Sequence, residues 1–203
     1  MPASTQERNA QLWRCTLSDS LRPSIPLSAS LRNVRSGDIS ALGLLFFAAF
    51  QGTIDDAAQT ATQYTSKARA ILDGHYGDWI AEASWTVEQS EGLQSACLVC
   101  DYKPYGCPVI AVVATAPASK ASGRAGTLLD AALATLTALG HSECCAMVTK
   151  GNVASERLFE SRGFSPHAAV DVLSGGACSG SASRSLDVDN QQSPNENTGG
   201  VKR

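Results

Sequence analysis

The chain has 203 residues, 43% of them hydrophobic and 17% charged, a balance that fills one globular core. A net charge of −3 lacks the concentrated basic surface of phosphate-tracking proteins and argues against a nucleic-acid partner. Met1 to Ala10 carries no apolar run of the secretory kind, and the most apolar stretch, Ile39 to Phe50, falls far short of the roughly 20 residues that cross a bilayer. The expectation is a cytoplasmic protein without a membrane partner.

Residues 1–29 read as an N-terminal tail and an extended lead-in, since Trp13 to Ser30 is rich in Ser, Leu and Pro without clear period. Ser30 to Arg35 alternates as a first strand, and Ser36-Gly37-Asp38 turns into a helix with Asp38 at its N-cap. Ile39, Leu42, Leu45, Phe46 and Ala49 recur at helical spacing. That helix breaks near Gly52-Thr53. A second is predicted from Asp55-Asp56, whose charges suit a helix N-terminus, to about Leu72.

Three strands are predicted next, Ala83 to Glu88, Gln94 to Asp101 and Pro108 to Thr115, divided by Glu91-Gly92 and by Lys103-Pro104-Tyr105-Gly106. The third is continuously apolar, as a strand buried on both faces should be. A helix follows from about Gly123 to Leu139, closed by Gly140, then a strand from Cys144 to Thr149. Asn152 to Arg162 is a short helix, and Phe164 opens a return strand that fades near Leu173. Residues 174–203 are rich in Ser, Gly, Asn and Asp and cannot bury enough surface to offset their ordering entropy, so a disordered tail is expected. The order β-α-α-β-β-β-α-β-α-β implies an α/β (α+β) domain over residues 30–173, a mixed sheet flanked by helices.

Seven cysteines in a chain without a signal read as free thiols. Cys97 and Cys100 form a C-x-x-C, but on a strand they point to opposite faces and are poorly placed to share an ion. No metal is expected.

The segment between Val109 and Leu139 carries the chemistry. Small residues in Pro117-Ala-Ser-Lys120-Ala121-Ser122-Gly123-Arg124-Ala125-Gly126-Thr127 let backbone N–H groups approach a ligand, and the helix that follows adds unpaired donors and partial positive charge. Lys120 and Arg124 stand at the same mouth. The loop lacks the G-K-[ST] of NTPases and the G-x-G-x-x-G of dinucleotide folds.

A second segment, Asn152-Val-Ala-Ser155-Glu-Arg-Leu158-Phe159-Glu160-Ser161-Arg162-Gly163-Phe164, completes the pattern. Together they resemble the GCN5-related N-acetyltransferases (the GNAT superfamily). Lys120-Ala-Ser-Gly123-Arg-Ala125 is similar to the family's [RQ]-x-x-G-x-[GA], with Lys in first place, and Asn152 to Phe164 fits N-x-x-[AS]-x-x-L-[YF]-E-x-x-G-F throughout.

The resemblance implies a mostly antiparallel sheet splayed between its fourth and fifth strands, with acetyl-CoA as cosubstrate and a small-molecule amine as acceptor. It also allows a homodimer. It places a diphosphate on Ala121, Ser122, Gly123, Arg124, Ala125 and Gly126, with Lys120 and Thr127 nearby. Pantetheine would run along Val113, Ala114 and Thr115, touch Asn152 and Ser155, and bring Phe159 near the thioester. Two family features are missing. The tyrosine that often protonates the leaving thiolate is Phe159, and Val109 to Thr115 holds no glutamate base. That absence leaves Asp55, Asp56 and Glu82 as catalytic candidates, and also admits a chain that binds acyl-CoA without turnover, or one that acts on peptide amines.

Overall fold

A computed structural model describes residues 9–18 and 30–167. Its strands are β1 (Ala10–Thr16), β2 (Leu31–Asn33), β3 (Asp78–Trp79), β4 (Trp85–Gln89), β5 (Gly92–Asp101), β6 (Val109–Thr115), β7 (Glu143–Thr149) and β8 (Ser165–Pro166). The helices are α1 (Ile39–Phe50), α2 (Ala61–Leu72), α3 (Arg124–Ala138) and α4 (Val153–Glu160). Among the described residues the strands form one sheet ordered β2-β4-β5-β6-β7-β1-β8, with β3 paired to β5. Every pairing is antiparallel except β6 with β7. No helix among the described residues is long and apolar enough to cross a membrane.

The sheet separates two cores. On one face α1 and α2 bury Leu42, Leu45, Phe46, Tyr64 and Ile71 against Leu98, Cys100 and Val112. On the other, α3 and α4 bury Leu128, Leu129, Leu133, Leu136 and Phe159 against Trp13, Cys97, Val99 and Ile110. Alternation along β5 sends Cys97 to one core and Cys100 to the other, as their strand spacing requires. Burial pushes both thiols up to about 12. A left-handed Gly140 (φ +88°) closes α3, with the N–H of His141 on Leu136 and that of Gly140 on Thr137, a Schellman pattern.

Three expectations need correction. The supposed lead-in contains β1, which pairs with β7 along its whole length from Ala10–Thr149 to Thr16–Glu143, so residues 10–16 belong to the sheet. The signal was present: Trp13, Cys15 and Leu17 alternate inward and are 5%, 3% and 7% exposed.

Helix α2 starts at Ala61, not at Asp55-Asp56. Thr60 and Gln63 form a capping box, with the Gln63 N–H on Thr60 Oγ1 (3.3 Å) and the Thr60 N–H on Gln63 Oε1 (2.8 Å). Reciprocal hydrogen bonds at T-x-x-Q satisfy two orphan donors, which diffuse charge attraction at Asp55 cannot match. Nor does the Asp38 side chain cap α1. It turns back to accept from the Arg35 N–H (2.8 Å) and from both terminal nitrogens of Arg32 (2.7 and 3.0 Å). Of the expected return strand, Ser165–Pro166 is observed on β1; the tail over 174–203 lies outside the described residues.

Helices α1 and α2 cross closely at Gly43, where an added Cβ would collide with the side chain and the Cα of Thr65. Ala is the better helix former by about 1 kcal/mol, but a collision with backbone cannot be relieved by a rotamer change and overpacking costs about 1–3 kcal/mol. Gly43→Ala is therefore expected to destabilise the fold, lowering the urea midpoint. Partial burial opposes ionisation of Asp38, and the hydrogen bonds from Arg32 and Arg35 outweigh it, holding the carboxyl below its usual range. A depressed folded value stabilises above the unfolded one and is lost as pH falls through it. Asp38→Asn is thus expected to cost about 1 kcal/mol at neutral pH, with the gap to wild type closing below about pH 4 in denaturant titrations.

Candidate functional site at the parting of two strands

Strands β6 and β7 share only two register positions, Val109–Cys145 and Ile110–Ala146, at the N-terminal end of β6 and the middle of β7. Beyond them the edge of β7 that faces β6 has no strand partner, while its other edge stays paired with β1 throughout. The cause lies in β6. Its register with β5 passes from Ile110–Val99 to Val112–Leu98 and skips Ala111, a bulge that bends the strand. Ala111 and Val112 accordingly both turn to the α1/α2 core.

After the bulge the Ala116 N–H donates to Gln94 O at 2.9 Å. Antiparallel alternation then directs the backbone of Val112 and Ala114 to β5 and that of Val113 and Thr115 to the side β7 has left. Ala114, expected along a ligand arm, has its backbone spent on the ladder. Val113 and Thr115 face the gap.

The loop between β6 and α3 is held from below. Buried Ser119 donates to Gln94 Oε1 (2.9 Å), and Ser122 donates to the carbonyl of Ser119. Ala121 stands at φ +58° and Gly123 at φ +79°. A non-glycine residue in this region costs of order 1 kcal/mol and marks a backbone set by its surroundings. Gly123 is the N-cap of α3 and offers no side-chain cap. Among the described residues no acceptor meets the N–H groups of Ala121, Ser122, Gly123, Arg124, Ala125 or Gly126. A Cβ added at Gly123 meets nothing within 4 Å, so the loop is open to solvent at that point. The Thr127 hydroxyl is turned to the carbonyl of Gly123 (3.3 Å). Lys120 Nζ reaches the carbonyl of Ala49 at the end of α1 (3.3 Å), and Arg124 Nη1 reaches Ser122 Oγ (3.2 Å).

The third wall is the start of α4. Asn152 Oδ1 accepts from the Ser155 N–H (3.1 Å) and caps the helix, while Asn152 Nδ2 donates to Asp55 Oδ2 at 2.6 Å. The α1–α2 connection thereby reaches the end of β7, and Ile54 lies beside Gly151 there. The catalytic candidates are not brought together. Asp55 stands at this rim. Asp56 folds its own loop, accepting from the N–H groups of Gly52 and Ala58 (both 2.7 Å). Glu82 is exposed on the turn before β4, with β5 between that strand and β6. Phe159 is 6% exposed and packs edge-on against Phe164 at 5.0 Å. Two features escaped sequence reading. The Ala111 bulge is silent inside an apolar run, and Arg162, paired with Asp130 beside α3, carries no local signal.

No protein-family sequence model matches the chain, and no curated protein sequence does. Solved structures do. A GCN5-related N-acetyltransferase from Sphaerobacter thermophilus aligns over 78% of this chain and 48% of its own with a TM-score of 0.59 at 17% identity. The fold is that of the GCN5-related N-acetyltransferases. This chain spans about half the length of that Sphaerobacter protein. The GNAT fold recurs in yncA from Salmonella typhimurium, solved with its cofactor acetyl-CoA (TM-score 0.50, 17% identity, 66% of this chain and 77% of that one). Aminoglycoside 6'-N-acetyltransferase AAC(6')-IG from Acinetobacter haemolyticus also aligns (TM-score 0.51, 13% identity, 73% and 99%). At such identities the shared property is the GNAT fold itself; the parting of β6 from β7 is observed in this chain.

Asn152→Ala removes the α4 cap and is expected to cost about 1 kcal/mol. Asn152→Asp keeps a cap acceptor but sets a second carboxylate against Asp55. It is expected to be the more destabilising of the two at pH 7, read by chemical denaturation.

Proposed function

We propose that this chain moves an acetyl group from acetyl-CoA to the primary amine of a small molecule. One observation carries the reading: six bare amides at the start of α3 are continuous with a free strand edge at Val113 and Thr115. Bare donors with helix-terminal positive charge suit a diphosphate, and an unpaired edge suits an arm bearing amides of its own. Acetyl-CoA joins both in one molecule. The GNAT fold and the yncA complex support this assignment, and the aminoglycoside acetyltransferases among its neighbours support a small amine as acceptor.

On this reading the amides of Ala121 to Gly126 hold the diphosphate, with Lys120 and Arg124 adding charge. Val113 and Thr115 pair with the pantetheine arm, and Asn152 and Ser155 close on it from α4. The cosubstrate supplies an activated thioester. A β6 N–H facing the gap polarises its carbonyl, a contribution of about 3 kcal/mol for one oriented donor. An alkyl amine with pKa near ~10 arrives as the ammonium. Asp55, with one carboxylate oxygen fixed by Asn152, is suited to receive it. There the ammonium gives one proton to water, its freed nitrogen attacks the thioester carbon, and that nitrogen gives up a second proton as the C–S bond breaks. Phe159 has no proton to give, so the thiolate leaves with a proton from water.

That same Phe159, and a β6 without a carboxylate, favour a second reading in which acyl-CoA is bound and not turned over. Thiol detection of released coenzyme A across polyamines, aminoglycosides and amino acids separates them. Release with at least one amine is expected; saturable acetyl-CoA binding without release on any amine would favour the second.

Gly123→Glu, which sets bulk and negative charge into the open space before the amides, is expected to abolish acetyl-CoA binding in calorimetry with an unchanged circular dichroism spectrum. Asp55→Asn can still accept from Asn152 through its amide oxygen while losing its charge. It is expected to raise the acceptor KM about tenfold and leave the acetyl-CoA Kd within about twofold. Unchanged kinetics would return Asp55 to a loop-anchoring role.

A further inference from the structure

Arg162 follows α4, and its side chain runs back across the first turns of α3. Nε and Nη2 donate to the two oxygens of Asp130 (3.0 and 3.2 Å), a two-pronged pairing that fixes the plane of the guanidinium, and Nη1 donates to Ser161 Oγ at 2.6 Å. Gly126 and Asp130 are four residues apart and share one face of α3. A Cβ added at Gly126 would collide with the guanidinium, lying 3.0 Å from its Cζ. Gly126 is therefore a notch cut for Arg162.

A simple staple between α3 and α4 does not account for this arrangement. Partly exposed ion pairs stabilise little. A cation beside a helix N-terminus is also opposed by the backbone dipole. Here it lies against Gly126, whose own N–H is one of the six without an acceptor. Lys120 and Arg124 belong to the same loop and helix start, and Asp130 pairs with Arg162 alone. An anion at the bare amides would be met by cations as well as by the helix terminus. Arg162 is equipped for one, because a guanidinium has five N–H donors and three are used, leaving one on each terminal nitrogen.

We propose that Arg162 binds a phosphate of the nucleotide half of acyl-CoA, held in place by Asp130 and by the missing side chain of Gly126. This rests on the reading that Ala121 to Gly126 takes the diphosphate. Gly126, on this view, is small to admit a cation and not to admit the ligand.

The test is calorimetric titration of the full chain with coenzyme A and with 3'-dephospho-coenzyme A. Arg162→Gln is expected to weaken coenzyme A binding about tenfold, the scale of one charge-assisted contact. Gly126→Ala keeps the charge but displaces it, and is expected to give a similar loss. Combining the two should add nothing, whereas a direct effect of the new methyl on the amides would add to the loss. A loss seen with coenzyme A and gone with the dephospho form assigns the contact to the 3'-phosphate; an equal loss with both assigns it to the diphosphate. Normal binding by Arg162→Gln, with wild type binding and Gly123→Glu not, would overturn the proposal and leave the cradle intact. No binding by wild type would remove the cofactor reading and Arg162's role with it.

Discussion

A parallel strand pair held by two register positions cannot stay closed, and β6 and β7 part after Ile110 and Ala146. The extra residue at Ala111 rotates β6 so that the backbone of Val113 and Thr115 looks into the gap, while β5 secures the other edge. Without the bulge the alternation would present different residues, and with a longer ladder there would be no gap. Hydrogen-bonding capacity left unused inside a sheet is costly unless water or a ligand meets it, and the partly buried Val113 and Thr115 leave this edge accessible to either.

The loop above the gap extends the same logic. Its shape is imposed from below by Ser119 on Gln94 and by Ser122 on Ser119, leaving its amides outward. Around it the molecule concentrates positive charge although the whole chain carries −3. Lys120 is tied to the end of α1, and Asn152 to Asp55 in the α1–α2 connection, so the start of α4 and the loop are fastened to one stretch of chain. A carboxylate at that rim is the feature that most favours a cationic acceptor.

Much of this was legible beforehand because it rests on local chemistry. The apolar run of β6, the glycine-bearing loop and the Asn152-to-Phe164 segment each declare themselves in a few residues, and the strand, loop and helix fall where they were expected. Element starts were less legible where two local signals competed, as when the Thr60–Gln63 box displaced Asp55-Asp56 as the beginning of α2. Long-range partners were not legible at all. Nothing near Trp13 announces a partner in β7 more than 130 positions away, since Trp13 faces Ala146, and nothing near Gly126 announces Arg162. The bulge at Ala111 was hidden because a run apolar on both faces shows no phase to break.

Backbone amide spectra recorded as acetyl-CoA is added test the central claim most directly. The account requires the N–H groups of Val113, Thr115 and Ala121 through Gly126 to shift and to gain protection from solvent exchange, while Val112 and Ala114, already paired with β5, change little. Saturable binding that leaves those amides unmoved, or no binding at all, would contradict it.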